Sequence, residues 1–309
     1  MTGDEMSAPL TTETGDARFA GIDRMATADL AALMNDEDAT VPLAVRAALP
    51  AIVRAIDATV ARMAGGGRLI YVGAGSSGRI GVLDASEIPP TFGTSPDHVV
   101  ALIAGGADAI VLPQEGAEDD VDAGIAAIDG ARVSPDDVVV GIASSGRTPY
   151  VIAALRRAGE LGACTVGLSC NEESELSVVS DIPIEVPVGP EFVAGSTRLK
   201  AGTAQKLVLN MLSTITMVRL GKTYGNLMVD LSPTNTKLRA RATGIVGDIA
   251  GVGRDEAAAA LRRTAFDVKQ AVLVARLGIP PEEASARLAR AGGRLRGALA
   301  ADPPKERQL

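Results

Sequence analysis

Two stretches of the chain place paired serines directly after an apolar run. The first, Ser76 to Arg79, reads SSGR and follows residues 69–72 and a glycine-rich turn. The second, Ser144 to Arg147, also reads SSGR and follows residues 137–143. A turn of this kind between a strand and a helix brings free backbone N–H groups, the positive end of the helix dipole and hydroxyls to one point. That combination suits a phosphate.

The first of these turns has three competing interpretations. Its glycines, from Gly73 to Gly78, have the GxGxxG spacing of a dinucleotide-binding turn. That fold needs an acidic residue at the end of the second strand, whereas here the second apolar run ends at Gly105 and the nearest acid, Asp108, lies beyond the turn. The third interpretation is a turn that only packs a helix on a strand, with its serines as ordinary caps. Because this serine-bearing turn occurs twice in the chain, we favour the interpretation that the two turns bind a phosphate and sugar hydroxyls.

Two acidic residues are candidates for general acid–base chemistry. Glu87 stands shortly before Pro89 and Pro90, and this double proline predicts that the helix ends there. Glu118 lies in the acidic segment 114–120, which by itself is typical of a solvated helix start. A pair of carboxylates near one substrate divides the acid and base roles. We therefore consider Glu118 as a catalytic candidate together with Glu87.

The elements that must position these residues follow from the spacing of apolar residues. Short runs rich in Val and Ile alternate with helix-like segments, which predicts a parallel sheet covered by helices on both faces. In such an α/β fold, ligands gather at the carboxyl ends of the strands, where both serine-bearing turns lie. The predicted strands are residues 69–72, 99–105, 137–143, 164–169 and 182–188.

Helical segments flank this region at both ends. Residues 1–18 are polar and predict a mobile arm, and the segments that follow are helical up to the first strand. A long helix is predicted within 194–220, and beyond it short Ala- and Arg-rich segments predict a small helical appendage. We therefore divide the chain into the arm 1–18, an α/β domain with N-terminal helices over 19–235 and a helical region over 236–309.

Composition narrows the classes of function. The 309 residues carry a net charge of −8 with three Tyr, four Phe and no Trp, which argues against a nucleic-acid surface of basic patches and stacking rings. No apolar stretch approaches the roughly 20 residues that span a bilayer, and the acidic N-terminus is unlike a signal sequence. We expect a cytoplasmic protein that acts on a small molecule, without nucleic-acid or membrane partners.

Cysteine and histidine are scarce. Cys164 and Cys170 lie in one extended apolar run, too far apart there to bridge each other, and we interpret them as core thiols of a reducing compartment. His98 is the only histidine, so a Ser-His-Asp triad or a histidine-bearing zinc site would depend entirely on it. No cluster of carboxylates or cysteines surrounds it at ligand spacing. We therefore interpret His98 as a residue with a structural role and not a catalytic one, and we expect the chain to have no metal site.

The chain resembles the sugar-isomerase (SIS) domain family and, within it, the N-acetylmuramic acid 6-phosphate etherases. The most specific motifs are GRLIYVGAGSSGRIGVLDASEIPPTFG at 67–93, VVVGIASSGRTPYVI at 138–152 and GSTRLKAGTAQKLVLNMLST at 195–214. The serine-bearing turns belong to SIS domains in general, and the segment LDASE-x-PPT is the etherase-like part. The resemblance implies a three-layer αβα domain with a parallel sheet. The end of the chain also resembles a ubiquitin-associated-like (UBA-like) helical module.

The activity implied by this resemblance is cleavage of the D-lactyl ether of N-acetylmuramic acid 6-phosphate by elimination and then water addition, without a metal or an organic cofactor. The resemblance implies that Glu87 donates a proton to the leaving lactate and that Glu118 is the other carboxylate of the active site, and we choose Glu118 as the base at C2. It also implies a homodimer. The residues expected to bind the substrate are Gly75, Ser76, Ser77, Ser144, Ser145, Thr148, Ser196, Thr197 and Lys200.

Two other functions would keep the serine-bearing turns. A non-catalytic sugar-phosphate regulator of the SIS type needs the turns but neither Glu87 nor Glu118, and both glutamates are present. An aldose–ketose isomerase also moves a proton at C2, but it gives no reason for the segment LDASE-x-PPT. Release of D-lactate from N-acetylmuramic acid 6-phosphate distinguishes the etherase from both alternatives.

Overall fold

The computed structural model describes residues 10–231, 233 and 235–300, so the first half of the predicted mobile arm lies outside the described residues. Short 3-10 helices occur at Thr11–Glu13, Ala17–Phe19, Ile22–Arg24, Ala107–Ile110 and Ala117–Asp119. The helices and strands, in chain order, are α1 (Thr27–Asp38), α2 (Val41–Ala47), α3 (Leu49–Ala64), β1 (Leu69–Gly73), α4 (Gly75–Phe92), β2 (Val99–Ile103), α5 (Val121–Gly130), β3 (Val138–Ile142), α6 (Pro149–Glu160), β4 (Cys164–Ser169), α7 (Glu175–Val178), β5 (Ile182–Glu185), α8 (Lys200–Arg219), β6 (Thr223–Tyr224), β7 (Leu227–Met228), α9 (Thr236–Ala250), α10 (Arg254–Arg263), α11 (Val268–Leu277), α12 (Pro281–Arg290) and α13 (Leu295–Ala300).

The chain forms two compact units. The first comprises Met1–Ser86 and Asp97–Thr216, and the second comprises Glu87–Pro96 and Met217–Leu309. The boundaries fall inside two helices, α4 and α8. Along the chain, the second unit therefore begins before residue 236, where the sequence pattern places the start of the helical region.

A five-stranded parallel sheet forms the centre of the first unit. Its strand order is β2-β1-β3-β4-β5, and each strand begins within one residue of its predicted run. Every residue of β1, β3 and β4 is buried, because helices cover these strands on both faces. The predicted α/β fold with a parallel sheet is confirmed.

Alternate residues of the central strands face opposite helical layers. Ile70 and Val72 of β1 pack in one hydrophobic cluster with Leu155 of α6, and α5 packs against α6. Tyr71 faces the other side, where its hydroxyl donates a hydrogen bond to Asp84 of α4 over 2.8 Å. The sheet is therefore the middle of three layers.

Helix α4 does not end at the two prolines, so that prediction is wrong. The helix continues through Pro89 and Pro90 to its end at Phe92. Both prolines lie in the last turn, where only two helical hydrogen bonds lose their amide donors, and the amide of Gly93 still donates to the Pro89 carbonyl over 2.9 Å. Glu87 is therefore on a continuous helix and not at a break.

The second unit contains the predicted helical appendage. Helices α9 to α13 share one hydrophobic core, in which Val246, Leu261 and Val272 are fully buried. The antiparallel pair β6 and β7 also belongs to this unit. Each of these strands has two residues, too few to produce a recognisable alternation of apolar residues, so the sequence pattern did not predict them.

Arg68 and Asp137 join the beginnings of β1 and β3. The Asp137 carboxylate accepts hydrogen bonds from Nη2 and the backbone amide of Arg68, over 2.7 and 2.9 Å, and from the amide of Ser134 over 3.0 Å. Burial alone would raise the pKa of Asp137, but these hydrogen bonds and the Arg68 charge outweigh burial and lower it. The ion pair supports the register in which Gly73 lies opposite Ile142.

The substitution Asp137→Asn should destabilise the protein, because it removes the partner of the Arg68 charge. Hydrogen bonds to charged groups contribute about 1.5–3 kcal/mol, and urea unfolding at pH 7 should show a deficit of this size. Because the native pKa of Asp137 is lowered, its stabilisation is fully present above the ordinary value of 3.8 and is lost as the pH falls through the native pKa. The difference from the wild type should therefore shrink only below about pH 4.

The exposed neighbour Asp136 supplies the matched control. Asp136→Asn should leave the urea midpoint at pH 7 close to that of the wild type. A deficit in Asp137→Asn that stays constant down to low pH would contradict the role given to its charge.

Candidate active site

Strands β1 and β3 are neighbours in the sheet, but the strand that follows β1 in the chain, β2, lies on one side of this pair and the strand that follows β3, β4, lies on the other. At such a change of direction, a crevice opens at the carboxyl ends of the two strands. Gly73 and Ile142, the last residues of β1 and β3, are register partners. Residues 74–78, the first serine loop, follow Gly73, and residues 143–148, the second serine loop, follow Ile142. The two predicted loops therefore start from neighbouring strand ends.

The first serine loop holds α4 in close contact with β1. A Cβ atom on Gly78 would lie 2.8 Å from the carbonyl oxygen of Gly73, a distance that only glycine avoids. Gly75 begins the helix with a φ of +52°. Ser77 is buried and Ser76 is half-buried. The glycines thus do pack the helix on the strand, and they also bring the first amides of α4 to the end of β1.

The second serine loop leaves hydroxyl groups available at the start of α6. Thr148 occupies the N-cap position of this helix, yet its side chain makes no capping hydrogen bond. Ser144 Oγ accepts a hydrogen bond from Gln205 Nε2 over 2.9 Å, and Ser145 Oγ accepts one from the amide of Arg147 over 3.2 Å. A serine hydroxyl that accepts one hydrogen bond still has its own proton to donate. Capping alone therefore does not account for these side chains.

Asn171 connects the second serine loop with the N-terminal segment, a link that the sequence did not reveal. Its Nδ2 donates to the Ser144 carbonyl over 2.9 Å and to Thr12 Oγ1 over 3.1 Å. Its Oδ1 accepts from the amide and the hydroxyl of Thr11, both over 2.9 Å. The described part of the predicted mobile arm thus makes specific contacts beside the second serine loop.

Lys200, predicted to bind the substrate, has a partner inside the protein. Its Nζ lies 3.0 Å from Glu37, and its side chain is 3% exposed. Burial raises the pKa of Glu37, but Lys200 and Arg18 outweigh burial and lower it. Ser196 and Thr197 are half-buried in the loop before α8. That Lys200 contacts the substrate stays a prediction, as do the roles of Ser196 and Thr197.

A cavity of about 340 Å³ lies beside the first serine loop, and Gly75, Arg79 and Glu118 all line it. The segment 113–118 approaches closely because residue 105 is glycine. A Cβ atom on Gly105 would lie 2.8 Å from Gln114 Cβ, and the φ of Gly105 is +83°. The structure therefore brings the predicted base together with the start of α4.

Local backbone geometry places Glu118 in a single turn of 3-10 helix. Gly116 has the left-handed φ of +73°, and Ala117–Asp119 follow as the 3-10 turn. Asp120 then caps α5 by accepting the amide of Ala123 over 2.8 Å. Glu118 itself is exposed and makes no hydrogen bond or ion pair with the residues that the structure describes. Its carboxylate is free to act on a ligand.

A buried carboxylate that the sequence analysis did not single out fixes the middle of α4. Asp84 accepts hydrogen bonds from the Tyr71 hydroxyl, Asn210 Nδ2 and Ser213 Oγ, over 2.8, 2.6 and 3.2 Å. Burial raises the pKa of Asp84, and these donors and the charge of Lys206 oppose that rise. Asp84 thus joins α4 to the sheet and to α8.

Glu87, the predicted acid, lies on the same helix three residues after Asp84, and its side chain is exposed. It belongs to the second unit, whereas both serine loops and Glu118 belong to the first. The residues that the first unit brings together are therefore the two serine loops, at neighbouring strand ends, and Glu118, in the cavity beside the first loop.

Two family models match the part of the chain that contains the serine loops. A family model described as the SIS domain matches residues 120–215, and one described as the glucokinase regulatory protein N-terminal SIS domain matches residues 51–159. Similar solved structures include a phosphoheptose isomerase from Francisella tularensis, with 20% sequence identity and a TM-score of 0.47 over 63% of this chain and 100% of that chain. The Vibrio vulnificus NanR protein complexed with ManNAc-6P is 17% identical, with a TM-score of 0.44 over 66% of this chain and 69% of that chain.

Relatives with known names match nearly the whole chain. The N-acetylmuramic acid 6-phosphate etherase of Streptomyces coelicolor is 56% identical over 292 residues, which is 94% of each chain. The etherase of Mesorhizobium japonicum is 54% identical over 95% of each chain, and that of Serratia proteamaculans is 51% identical over 94% of this chain and 98% of that one. At this identity and coverage, the chain belongs to the N-acetylmuramic acid 6-phosphate etherase family.

Proposed function

We propose that this protein cleaves the D-lactyl ether of N-acetylmuramic acid 6-phosphate and releases N-acetylglucosamine 6-phosphate and D-lactate. The observation that carries the proposal is 56% identity to an etherase over 94% of both chains. The protein is accordingly a carbon–oxygen lyase of amino-sugar metabolism. Incubating it with N-acetylmuramic acid 6-phosphate and measuring D-lactate tests the proposal directly.

An ether is a poor leaving group, so the reaction needs an acidic C–H bond beside it. In the open-chain sugar, the oxygen on C3 is β to the aldehyde. Removal of the C2 proton forms a C2=C3 double bond while the C3–O bond breaks and the departing oxygen takes a proton. Water then adds its hydroxyl to C3 and a proton returns to C2. One base and one acid carry out all of these transfers.

We assign the base to Glu118 and the acid to Glu87. Glu118 supports this assignment because it lines the cavity that Gly75 also lines and has no partner among the described residues. Glu87 has an exposed carboxylate on α4, three residues beyond the buried Asp84 network. In the hydration step, Glu87 takes a proton from the attacking water and so returns to its acid form.

The serine loops would hold the phosphate and the sugar hydroxyls. The first amides of α4 and the uncommitted hydroxyl of Thr148 support this assignment. Ser144 keeps its proton for a phosphate oxygen because Gln205 donates to it. The full set that we propose for substrate binding is Gly75, Ser76, Ser77, Ser144, Ser145, Thr148, Ser196, Thr197 and Lys200.

A non-catalytic regulator of the SIS type is the alternative. The match of residues 51–159 to the SIS domain of glucokinase regulatory protein is the observation that favours it. That match covers the serine loops and Glu118 but none of the chain beyond residue 159. The etherase relatives cover 94% of the chain or more, so the etherase accounts for more of the sequence.

Two further features complete the proposal. We place the protein in the cytoplasm because Cys164 and Cys170 are buried and unpaired. Burial raises the pKa of Cys170 to about 12, which keeps the thiol inert.

We take residues 19–235 as the SIS domain and 236–309 as the helical, UBA-like region, since the core of α9 to α13 lies almost wholly in the latter.

Among the described residues, no single helix is long and apolar enough to cross a membrane. The segments Thr27–Ala47 and Leu49–Ala64 would qualify only as a pair bent by 61°.

We infer a homodimer in which Glu87 serves the partner subunit's site. Ten residues of continuous helix separate Ser77 from Glu87, which corresponds to about 15 Å along the axis. The ether oxygen on C3 lies much closer to the C6 phosphate than that. Leu83 on the same helix is 53% exposed and Val53 on α3 is 51% exposed in the single chain. A partner subunit would cover such apolar residues. A two-fold interface would then build two equivalent sites.

Exchange of the substrate's C2 hydrogen in deuterated water distinguishes the roles of the two glutamates. Glu87→Gln should lose D-lactate release by about a hundredfold or more and still exchange the C2 hydrogen of the substrate, because its base remains. Glu118→Gln should lose both exchange and release. NMR of the substrate C2 position and an enzymatic D-lactate assay measure the two steps.

Asp119, exposed beside Glu118 in the same 3-10 turn, provides the control. Asp119→Asn should keep both exchange and release near the wild-type rates. If Glu118→Gln retained exchange while Glu87→Gln lost it, the acid and base would have to be interchanged.

Shared sites predict recovery of activity in mixed dimers. One subunit would carry Glu87→Gln, and the other would carry Ser76→Ala with Ser144→Ala. Each mixed dimer should regain one of its two sites, because the intact serine loops of one chain meet the intact Glu87 of the other. Differently tagged subunits allow the mixed dimer to be purified before D-lactate release is measured. An inactive purified mixed dimer would place Glu87 in the site of its own chain.

A further inference from the structure

One positively charged side chain, Arg79, lines the cavity beside the first serine loop and has no role in the acid–base steps proposed above. Arg79 lies one helical turn after Gly75 on α4, and both residues line the cavity together with Glu118. Residues 69–118 around the cavity offer no other arginine or lysine, so Arg79 supplies its positive charge.

Two backbone contacts fix the direction of this side chain. Arg79 Nε is 3.0 Å from the carbonyl oxygens of Ala109 and Ile110 and donates to both. The two terminal nitrogens of the guanidinium make no hydrogen bond within residues 10–231, 233 and 235–300. Arg79 also forms no ion pair there, although Glu115 and Glu118 line the same cavity. The guanidinium is thus held at one edge while its other donors remain unused.

We propose that Arg79 binds the carboxylate of the substrate's lactyl group, an inference that rests on the proposed function. A guanidinium presents two parallel N–H donors that match a carboxylate, and a guanidinium already fixed in place loses less conformational freedom on binding. The substrate has two anionic groups, the C6 phosphate and the lactyl carboxylate. The lactyl group is attached through the oxygen on C3, next to the C2 position where Glu118 acts.

The lining of the cavity favours the carboxylate over the phosphate. The hydroxyl-bearing residues proposed for the phosphate, Ser76 and Ser77 in the first loop and 144–148 in the second, do not line it, whereas Glu118 does. In the open-chain sugar, C6 is four carbons from C2, while the ether oxygen is on the adjacent carbon. The cavity that contains the base therefore receives the lactyl end of the substrate.

This placement gives Arg79 two effects. Its positive charge offsets the repulsion between the lactyl carboxylate and the carboxylates of Glu115 and Glu118, which line the same cavity. It also distinguishes substrate from product, because N-acetylglucosamine 6-phosphate has no carboxylate. Arg79 is accordingly a specificity-determining binding residue that acts on the group about to leave.

The test compares three ligands in Arg79→Gln: N-acetylmuramic acid 6-phosphate, its lactyl methyl ester and N-acetylglucosamine 6-phosphate. The substitution should lower kcat/KM for the acid by about tenfold to a hundredfold, the range for a charge-assisted hydrogen bond. The values for the ester and the inhibition constant of N-acetylglucosamine 6-phosphate should change little. In the wild type, kcat/KM for the acid should exceed kcat/KM for the ester by the same factor by which Arg79→Gln lowers kcat/KM for the acid. If the ester is not turned over, its inhibition constant replaces kcat/KM.

Two further variants control the experiment. Arg156→Gln removes an exposed arginine of α6 that lies outside the cavity, and it should leave all three values unchanged. Arg79→Lys keeps the charge without the two-donor fork, so part of the preference for the acid should return, whereas a residue needed only for its contacts with Ala109 and Ile110 would show no such recovery.

Two results would overturn the inference. Equal losses for acid and ester would make Arg79 structural, and an equal loss for N-acetylglucosamine 6-phosphate would make it a phosphate ligand. Failure of the proposed function looks different, since the wild type itself would then release no D-lactate. A wild type that releases D-lactate, with an acid-to-ester preference that Arg79→Gln leaves intact, would remove only the role of Arg79.

Discussion

Parallel pairing between β1 and β3 is the constraint on which the site depends. The register sets Gly73 against Ile142, so the two serine loops start from adjacent points on one edge of the sheet. Arg68 and Asp137 hold the opposite ends of the same strands. A shift by one residue would turn every buried side chain of a strand to the other face. Burial of β1 and β3 on both faces therefore fixes the geometry of the loops as firmly as it fixes the core.

Helix α4 connects this edge of the sheet with the cavity that Glu118 lines. Its first turn contains the first serine loop, its second turn places Arg79 in the cavity, and Asp84 in its middle is tied to the sheet and to α8. A buried carboxylate with three donors holds one orientation, because loss of any donor leaves charge unsatisfied. The helix therefore has little freedom to rotate, and the residues on its faces keep their directions.

The sequence predicted what repeats locally and missed what is distant along the chain. Runs rich in Val and Ile predicted all five strands of the parallel sheet, and the three strands that are buried along their whole length, β1, β3 and β4, have the most continuous apolar runs. Hydrogen bonds such as Asn171 to Thr12, 159 residues apart, and Lys200 to Glu37, 163 apart, leave no periodic trace. The prediction that the double proline ends α4 failed for a different reason. Each proline removes only the hydrogen bond that its own amide would have made, and because only Thr91 and Phe92 of the helix follow the two prolines, little helix remains to be disrupted.

The overall charge explains why the site must rely on short-range interactions. A protein of net charge −8 repels an anionic sugar phosphate at long range, but salt screens that repulsion beyond about 8–10 Å. In the site that we propose, the N-terminus of α4, the serine hydroxyls and the Arg79 guanidinium would act at contact distance, where the local arrangement of donors outweighs the net charge. Glu87 and Glu118, which we propose as acid and base, are two of the carboxylates that make the protein acidic. The proposed binding of an anion by this acidic enzyme therefore depends on where a few donors are placed and not on the net charge of the protein.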